Sequence, residues 1–138
     1  MAYTKIIPIK TNLNRAINYI TNADKTDENI LVGALNCRAE KAYNQMQDIK
    51  SHYDKKDVRL CYHLIQSFKH DEINPDDAFK IAEKYVDRYL GDKYQVVFAT
   101  HIDKEHIHNH ILWNSASYGL ANVQNFLLIY YPSILVYR

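Results

Sequence analysis

The chain reads as an α+β domain in which helices pack on a largely antiparallel sheet, and three features of the sequence predict that class. Only 3 Gly and 3 Pro occur in 138 residues, too few for the turns of a multi-stranded barrel. Apolar residues repeat with helical period in some stretches and with strand period in others, in the order β-α-β-α-β-α-β-β. The last two strand patterns are separated only by the turn Asp103-Lys104-Glu105, the short connection of an antiparallel hairpin.

The elements follow in order. Tyr3 to Ile9 is β-rich, and Pro8, which lacks a donor for the ladder, confines it to an edge or a strand end. Asn12 or Asn14 can cap a helix through about Thr21 whose inner stripe is Leu13, Ile17 and Ile20. A second helix is expected from Ala39 to Tyr53. The third has Asn74 at its cap, Pro75 in its first turn and Asp76 and Asp77 facing the positive helix end. Ala78, Phe79, Ala82, Tyr85, Val86, Tyr89 and Leu90 follow at helical spacing, and Gly91 closes it. Strands are expected over Ile30 to Leu35, Val58 to Phe68, Tyr94 to Asp103 and Ile107 to Asn114.

With 47% apolar and 24% charged residues the composition is that of one soluble globular domain, not of a disordered chain. The formal charge of +1 gives no bulk electrostatic argument for nucleic acid, membrane or acidic partners, so any such partner has to be argued from local residues. No apolar run reaches the roughly 20 residues that span a bilayer. The N-terminus Met1-Ala2-Tyr3-Thr4-Lys5 has no signal-peptide core. Cys37 and Cys61 form neither a C-x-x-C pair nor a disulfide framework. No membrane association and a cytoplasmic location, with inert thiols, are the expectation.

The chemistry is concentrated between His101 and Asn114, where four of the seven histidines lie within ten residues. On a strand, alternation puts His106, His108, His110, Leu112 and Asn114 on one face and Ile107, Asn109, Ile111 and Trp113 on the other. Residues two apart are about 6.5–7 Å apart at Cα, and imidazoles leaning together from there can share one ion at about 2.1 Å. His101, ending the partner strand, can supply a third nitrogen. Three histidines with open positions are the layout of a catalytic metal site, because a structural site is closed by a fourth protein ligand. Packing histidines explain the cluster less well, since several buried ring nitrogens would each need a partner. His106 is the expected bystander, and His52 and His70 read as ordinary surface or hydrogen-bonded histidines.

The segment His101-x-Asp103, His108-Asn109-His110 and Asn114 resembles the histidine motif of MobA-type plasmid mobilisation relaxases, members of the HUH endonuclease superfamily. Two further stretches agree with that resemblance. Arg15 to Asn22 (RAINYITN) is similar to the N-terminal motif that carries the relaxase tyrosine, and Tyr62 to Phe68 (YHLIQSF) with Asp71-Glu72-Ile73 to the second motif. The likeness runs from about Tyr3 to Ser117 in the family's order.

The resemblance implies a relaxase fold related to the RRM and ferredoxin-like sandwiches. It implies site- and strand-specific nicking of single-stranded DNA at a plasmid or conjugative-element transfer origin, by transesterification onto tyrosine. Carried over by position, Tyr19 is the nucleophile and His101, His108 and His110 hold a divalent metal, Mg²⁺ or Mn²⁺. Ser67 and Glu72 are second-rank candidates for DNA contact or support; read from position alone, Asp103, Asn114 and His63, which projects to the same side of its strand as Ser67, are further candidates. Asp103 either orients a ligand imidazole or caps the hairpin turn, and Asn114 either contacts DNA or scaffold or forms a turn. Accessory relaxosome proteins are the further partners implied. On residues alone, Tyr19 is one of 12 tyrosines and reads as amphipathic packing.

The catalytic core is expected over residues 1–118. Residues 119–138 form an atypical apolar tail, where the family continues through basic and polar residues; His106 through Tyr137 contain no Asp, Glu, Lys or Arg at all. Either the tail is a C-terminal strand pair divided at Pro132, or the reading frame has shifted near Gly119 and the chain is a truncated relaxase. The second reading predicts weak, salt-sensitive DNA binding and little nicking. Rival functions are an inactive remnant, a metal-dependent hydrolase and an HUH nuclease of replication-initiator or transposase type. The hydrolase motif H-x-H-x-D-H has no match beside His110, and the tyrosine motif preceding the histidines favours a relaxase over an initiator.

Overall fold

The computed structural model describes residues 3–52, 60–91 and 93–116, and the expected tail at 119–138 lies outside them. Its elements are β1 (Tyr3–Ile9), α1 (Leu13–Ile20), β2 (Val32–Leu35), a 3₁₀ turn (Ala39–Lys41), α2 (Ala42–His52), β3 (Cys61–Ser67), α3 (Pro75–Tyr89), β4 (Val96–His101) and β5 (His108–Asn114). The five strands form one sheet in the order β1-β3-β5-β4-β2, and every pairing is antiparallel. The fold is therefore α+β, in the element order expected. β1, which contains Pro8, lies at one edge, where a missing N–H costs no ladder bond. The strands are shorter than expected at their ends: β2 starts at Val32 and β4 runs only from Val96 to His101.

The caps explain two of the helices. The Asn12 side chain accepts the Arg15 N–H at 2.9 Å, and Asn12 itself sits in the left-handed region at φ 52°, a conformation Asn tolerates. Asn74 caps α3 in the same way through the Asp77 N–H, with Pro75 in the first turn. The expected second helix begins as a 3₁₀ turn and becomes α-helical at Ala42.

Helices cover both sheet faces. On one, Leu13, Ile17 and Ile20 of α1 and Ala42 and Met46 of α2 pack with Cys61, Val97 and Leu112. On the other, Ala82, Val86 and Leu90 pack with Leu64, Val96, Phe98, Ile111 and Trp113. β4 and β5 lie inside the sheet with helices above and below, so they are almost wholly buried, and the functional residues on them are set by core packing. Among the described residues, no helix is long and apolar enough to cross a membrane.

Candidate metal and nucleophile site

Register brings the histidines together. In β5, His108 stands opposite His101 of β4 and Ser67 of β3, while His110 stands opposite Ala99 and Ile65. Paired residues share a sheet face, so His101, His108 and His110 project toward the α1 side at one end of the sheet. His101 and His110 have ring centroids 4.0 Å apart, and those of His108 and His110 are 6.3 Å apart. β5 begins at His108, so His106 lies ahead of the strand rather than on its histidine face; its Nδ1 is 3.0 Å from the Phe68 carbonyl.

Tyr19 reaches this cluster from the last turn of α1. Its ring stands edge-on to His101 at 5.3 Å and to His110 at 5.7 Å, while the residue keeps 46% of its surface exposed. The helical stripe of Leu13, Ile17 and Ile20 is buried, and Tyr19 lies off it. Reading the tyrosine as ordinary core packing is thus corrected by the exposure. His101 Nε2 lies 2.9 Å from the Ile20 carbonyl, one of the acceptors that a helix C-terminus leaves without an intrahelical donor. That bond ties the end of α1, and with it Tyr19, to the histidines.

Burial sets the protonation of the rings. His110 is pushed down to about 2 by desolvation first and by the neighbouring imidazoles next, and His63 down to about 4 by desolvation and by His101. His101 is also lowered, again chiefly by burial. Neutral imidazole is the form that ligates a metal. Among the described residues no three His, Cys, Asp or Glu side chains converge as a finished metal cage. One nitrogen each of His63, His101 and His110 is instead engaged in a hydrogen bond. The residue types nevertheless fit a divalent ion: the imidazoles of His101, His108 and His110 share one sheet face, and burial biases His101 and His110 to the neutral form.

The supporting candidates separate. His63 is buried, with its Nε2 2.8 Å from His110 Nδ1. Ser67 ends β3 opposite His108 and is half-buried. Glu72 lies in the following turn, where its carboxylate accepts the Lys69 N–H at 3.1 Å. The Asp103 carboxylate pairs with Lys25 Nζ at 2.7 Å, and that lysine first, with a smaller contribution from His101, holds the carboxyl below its ordinary range. Asn114 is fully buried, and its amide donates to the Met46 carbonyl and to Gln95 Oε1. Buried in this network, the Asn114 side chain sits in the scaffold between α2 and the start of β4.

Two residues escaped the sequence reading. Lys25 Nζ sits 5.5 Å from the Tyr19 ring centroid, and its backbone carbonyl accepts the Ile102 N–H at 2.8 Å, which folds the segment after α1 back onto the end of β4. No local pattern marks it, since its partners are 78 residues away or across a helix. Asn109, between the histidines, points to the other face. Its Oδ1 accepts from Thr100 Oγ1 at 2.7 Å, and its Nδ2 donates to the Ala78 carbonyl at 2.7 Å and to Gln66 Oε1 at 3.1 Å. A fully buried Asn inside an apolar strand is the signal that could have found it.

Beside the cluster, a cleft of about 490 Å³ runs between the end of β1 and α1, lined by Lys10, Asn12, Arg15, Tyr19 and His63 among others. Two cations and a half-exposed phenol open onto the same space. Cys37 and Cys61 are free and buried elsewhere, and burial pushes each thiol up to about 12.

The family model "Relaxase: MobA/VirD2-like, nuclease domain" matches residues 19–129, beginning at Tyr19. A protein rlx of Staphylococcus aureus is 36% identical over 115 residues, 83% of this chain and 33% of that protein. Another rlx of the same organism is 33% identical over 122 residues, 88% of this chain and 36% of its own length. The group II intron-interrupted relaxase LtrB of Lactococcus lactis subsp. cremoris (strain MG1363) is 42% identical over 65 residues, 46% of this chain and 12% of the relative. The aligned part of this chain thus spans about a third or less of these relatives.

Proposed function

The chain belongs to the MobA/VirD2-like relaxase nuclease family, and from that membership we propose that it nicks single-stranded DNA at a transfer origin by transesterification onto Tyr19. One observation carries the reading. The Tyr19 ring is in edge contact with both His101 and His110, which joins the tyrosine motif of α1 to the histidine motif of β4 and β5. Physical proximity of a nucleophile to a metal-type donor set is what phosphodiester cleavage needs.

In the proposed step the Tyr19 oxygen attacks phosphorus, the new tyrosyl O–P bond forms and the P–O3′ bond breaks. The net proton passes from the phenol to the departing 3′-oxygen, leaving a 5′-phosphotyrosyl link and a free 3′-hydroxyl. Reversal rejoins the strand, because the covalent link stores the bond. His101, His108 and His110 would hold a divalent ion, Mg²⁺ or Mn²⁺, which when bound would supply positive charge to the phosphodiester. Lys25, held over the phenol by Asp103, and Lys10 and Arg15 in the adjoining cleft contribute fixed positive charge along the strand's path. Half-exposure lets the Tyr19 oxygen meet a phosphate without local unfolding.

The test is a labelled single-stranded oligonucleotide from the chain's own plasmid or element, incubated with the protein and Mn²⁺ and resolved under denaturing conditions. A covalent adduct with the unaltered protein and none with Tyr19→Phe is expected. Adduct formation that survives Tyr19→Phe would reject Tyr19 as nucleophile, and its absence from the unaltered chain would reject the activity for this length of chain.

A further inference from the structure

His63 has a place in the site that neither its strand motif nor the family match assigns. It pairs in register with Leu112 and Ile7, not with His110, yet its ring reaches diagonally across β3 and β5 to the histidine two residues along. The contact is directed: His63 Nε2 lies 2.8 Å from His110 Nδ1, with ring centroids 5.0 Å apart and planes tilted by 40°. Both residues are more than nine-tenths buried, so water offers neither nitrogen an easy alternative.

A hydrogen bond between two neutral imidazoles holds one proton, and its location decides what His110 can do. With the proton on His110 Nδ1, His63 Nε2 accepts and His110 Nε2 keeps its lone pair for a metal. With the proton on His63 Nε2, His110 Nδ1 accepts, the His110 proton sits on Nε2 and that nitrogen is closed to metal. Histidine ligands commonly donate their second N–H to a carboxylate or carbonyl, which fixes the ring and raises its basicity. Here the expected acidic neighbour, Asp103, is committed to Lys25, and an imidazole stands at His110 Nδ1 in place of a carboxylate.

We infer that His63 is a positioning residue that accepts the Nδ1–H of His110, holding it in the tautomer and orientation whose Nε2 binds the divalent ion. The inference rests on reading His110 as a metal ligand. It assigns His63 no contact with the reacting atoms, although His63 also lines the cleft beside Tyr19.

Two measurements on the full chain test it. Long-range ¹H–¹⁵N correlation of the imidazoles in the metal-free protein reports the His110 tautomer, and titration calorimetry reports Mn²⁺ affinity. The unaltered protein should carry the His110 proton on Nδ1. His63→Phe, which keeps a ring but removes the acceptor, should mix the tautomers and weaken Mn²⁺ binding by about 10–100-fold. His63→Gln, whose Oε1 can accept, should recover most of both. A His110 proton on Nε2 in the unaltered protein would overturn the inference without any variant. So would His63→Phe with unchanged tautomer and affinity. Failure of the unaltered protein to bind Mn²⁺ would instead reject the metal centre, and the metal-free tautomers would then decide the His63–His110 assignment alone.

Discussion

Lowering the pH from 7 to 5 in the presence of a chelator should destabilise the metal-free fold through His63 and His110. Both rings are buried and held below the ordinary imidazole value, His63 down to about 4 and His110 down to about 2. In the unfolded chain each titrates near 6.5. Between 6.5 and the folded values the unfolded state binds more protons than the native one, so stability rises with pH and is lost as the pH falls through this window. Each ring contributes a slope approaching about 1.4 kcal/mol per pH unit below 6.5, so two rings together cost about 4 kcal/mol by pH 5. That is a large share of the roughly 5–15 kcal/mol that holds an ordinary domain folded. His101, also lowered by burial, acts in the same direction. Urea unfolding followed by circular dichroism at pH 7, 6 and 5 measures the slope, and a His63→Gln/His110→Gln variant isolates it. The variant should lose most of the pH dependence over this interval. An identical slope in variant and unaltered protein would show that the buried imidazoles are not its source.

Asn109→Leu should cost about 2–4 kcal/mol, because the change strands the buried Thr100 hydroxyl and takes a donor from the half-buried Gln66 amide oxygen; adding Thr100→Val should recover part of that loss in the same urea experiment. His108→Ala should abolish Mn²⁺ binding in calorimetry while His106→Ala leaves it intact, since His106 lies ahead of β5; equal loss from both would mean that the ligand assignment is wrong. Lys25→Gln should weaken single-stranded DNA binding and reduce the slope of log K against log salt by roughly 0.7, the share of one phosphate contact; an unchanged slope would remove Lys25 from the DNA path.

Much of the fold was written locally. The stripe of Leu13, Ile17 and Ile20, the caps at Asn12 and Asn74, and the Asp103-Lys104-Glu105 turn each act over a few residues, so periodicity and capping chemistry announced them. The hairpin made His101 the partner of His108, and the period of two put His108 and His110 on one face. Those facts follow from chain geometry once the strands exist. The sequence by itself therefore determined the α+β order, the shared histidine face and, through motif likeness, the tyrosine worth watching.

Tertiary structure decided who meets whom across long separations. Strand register carried His63 diagonally to His110, a pairing that one residue of slip would have undone by turning one ring to the other face. The bond from His101 to the Ile20 carbonyl set where α1 ends against the sheet, and so where Tyr19 points. The segment after α1, folded back onto Ile102, brought Lys25 to both Asp103 and Tyr19. Asn114 was carried in the opposite direction, into a buried network with Gln95 and the Met46 carbonyl. Local sequence encodes propensity and face, whereas contacts between distant residues depend on register, helix placement and burial, which the packed core sets only when the whole sheet is assembled.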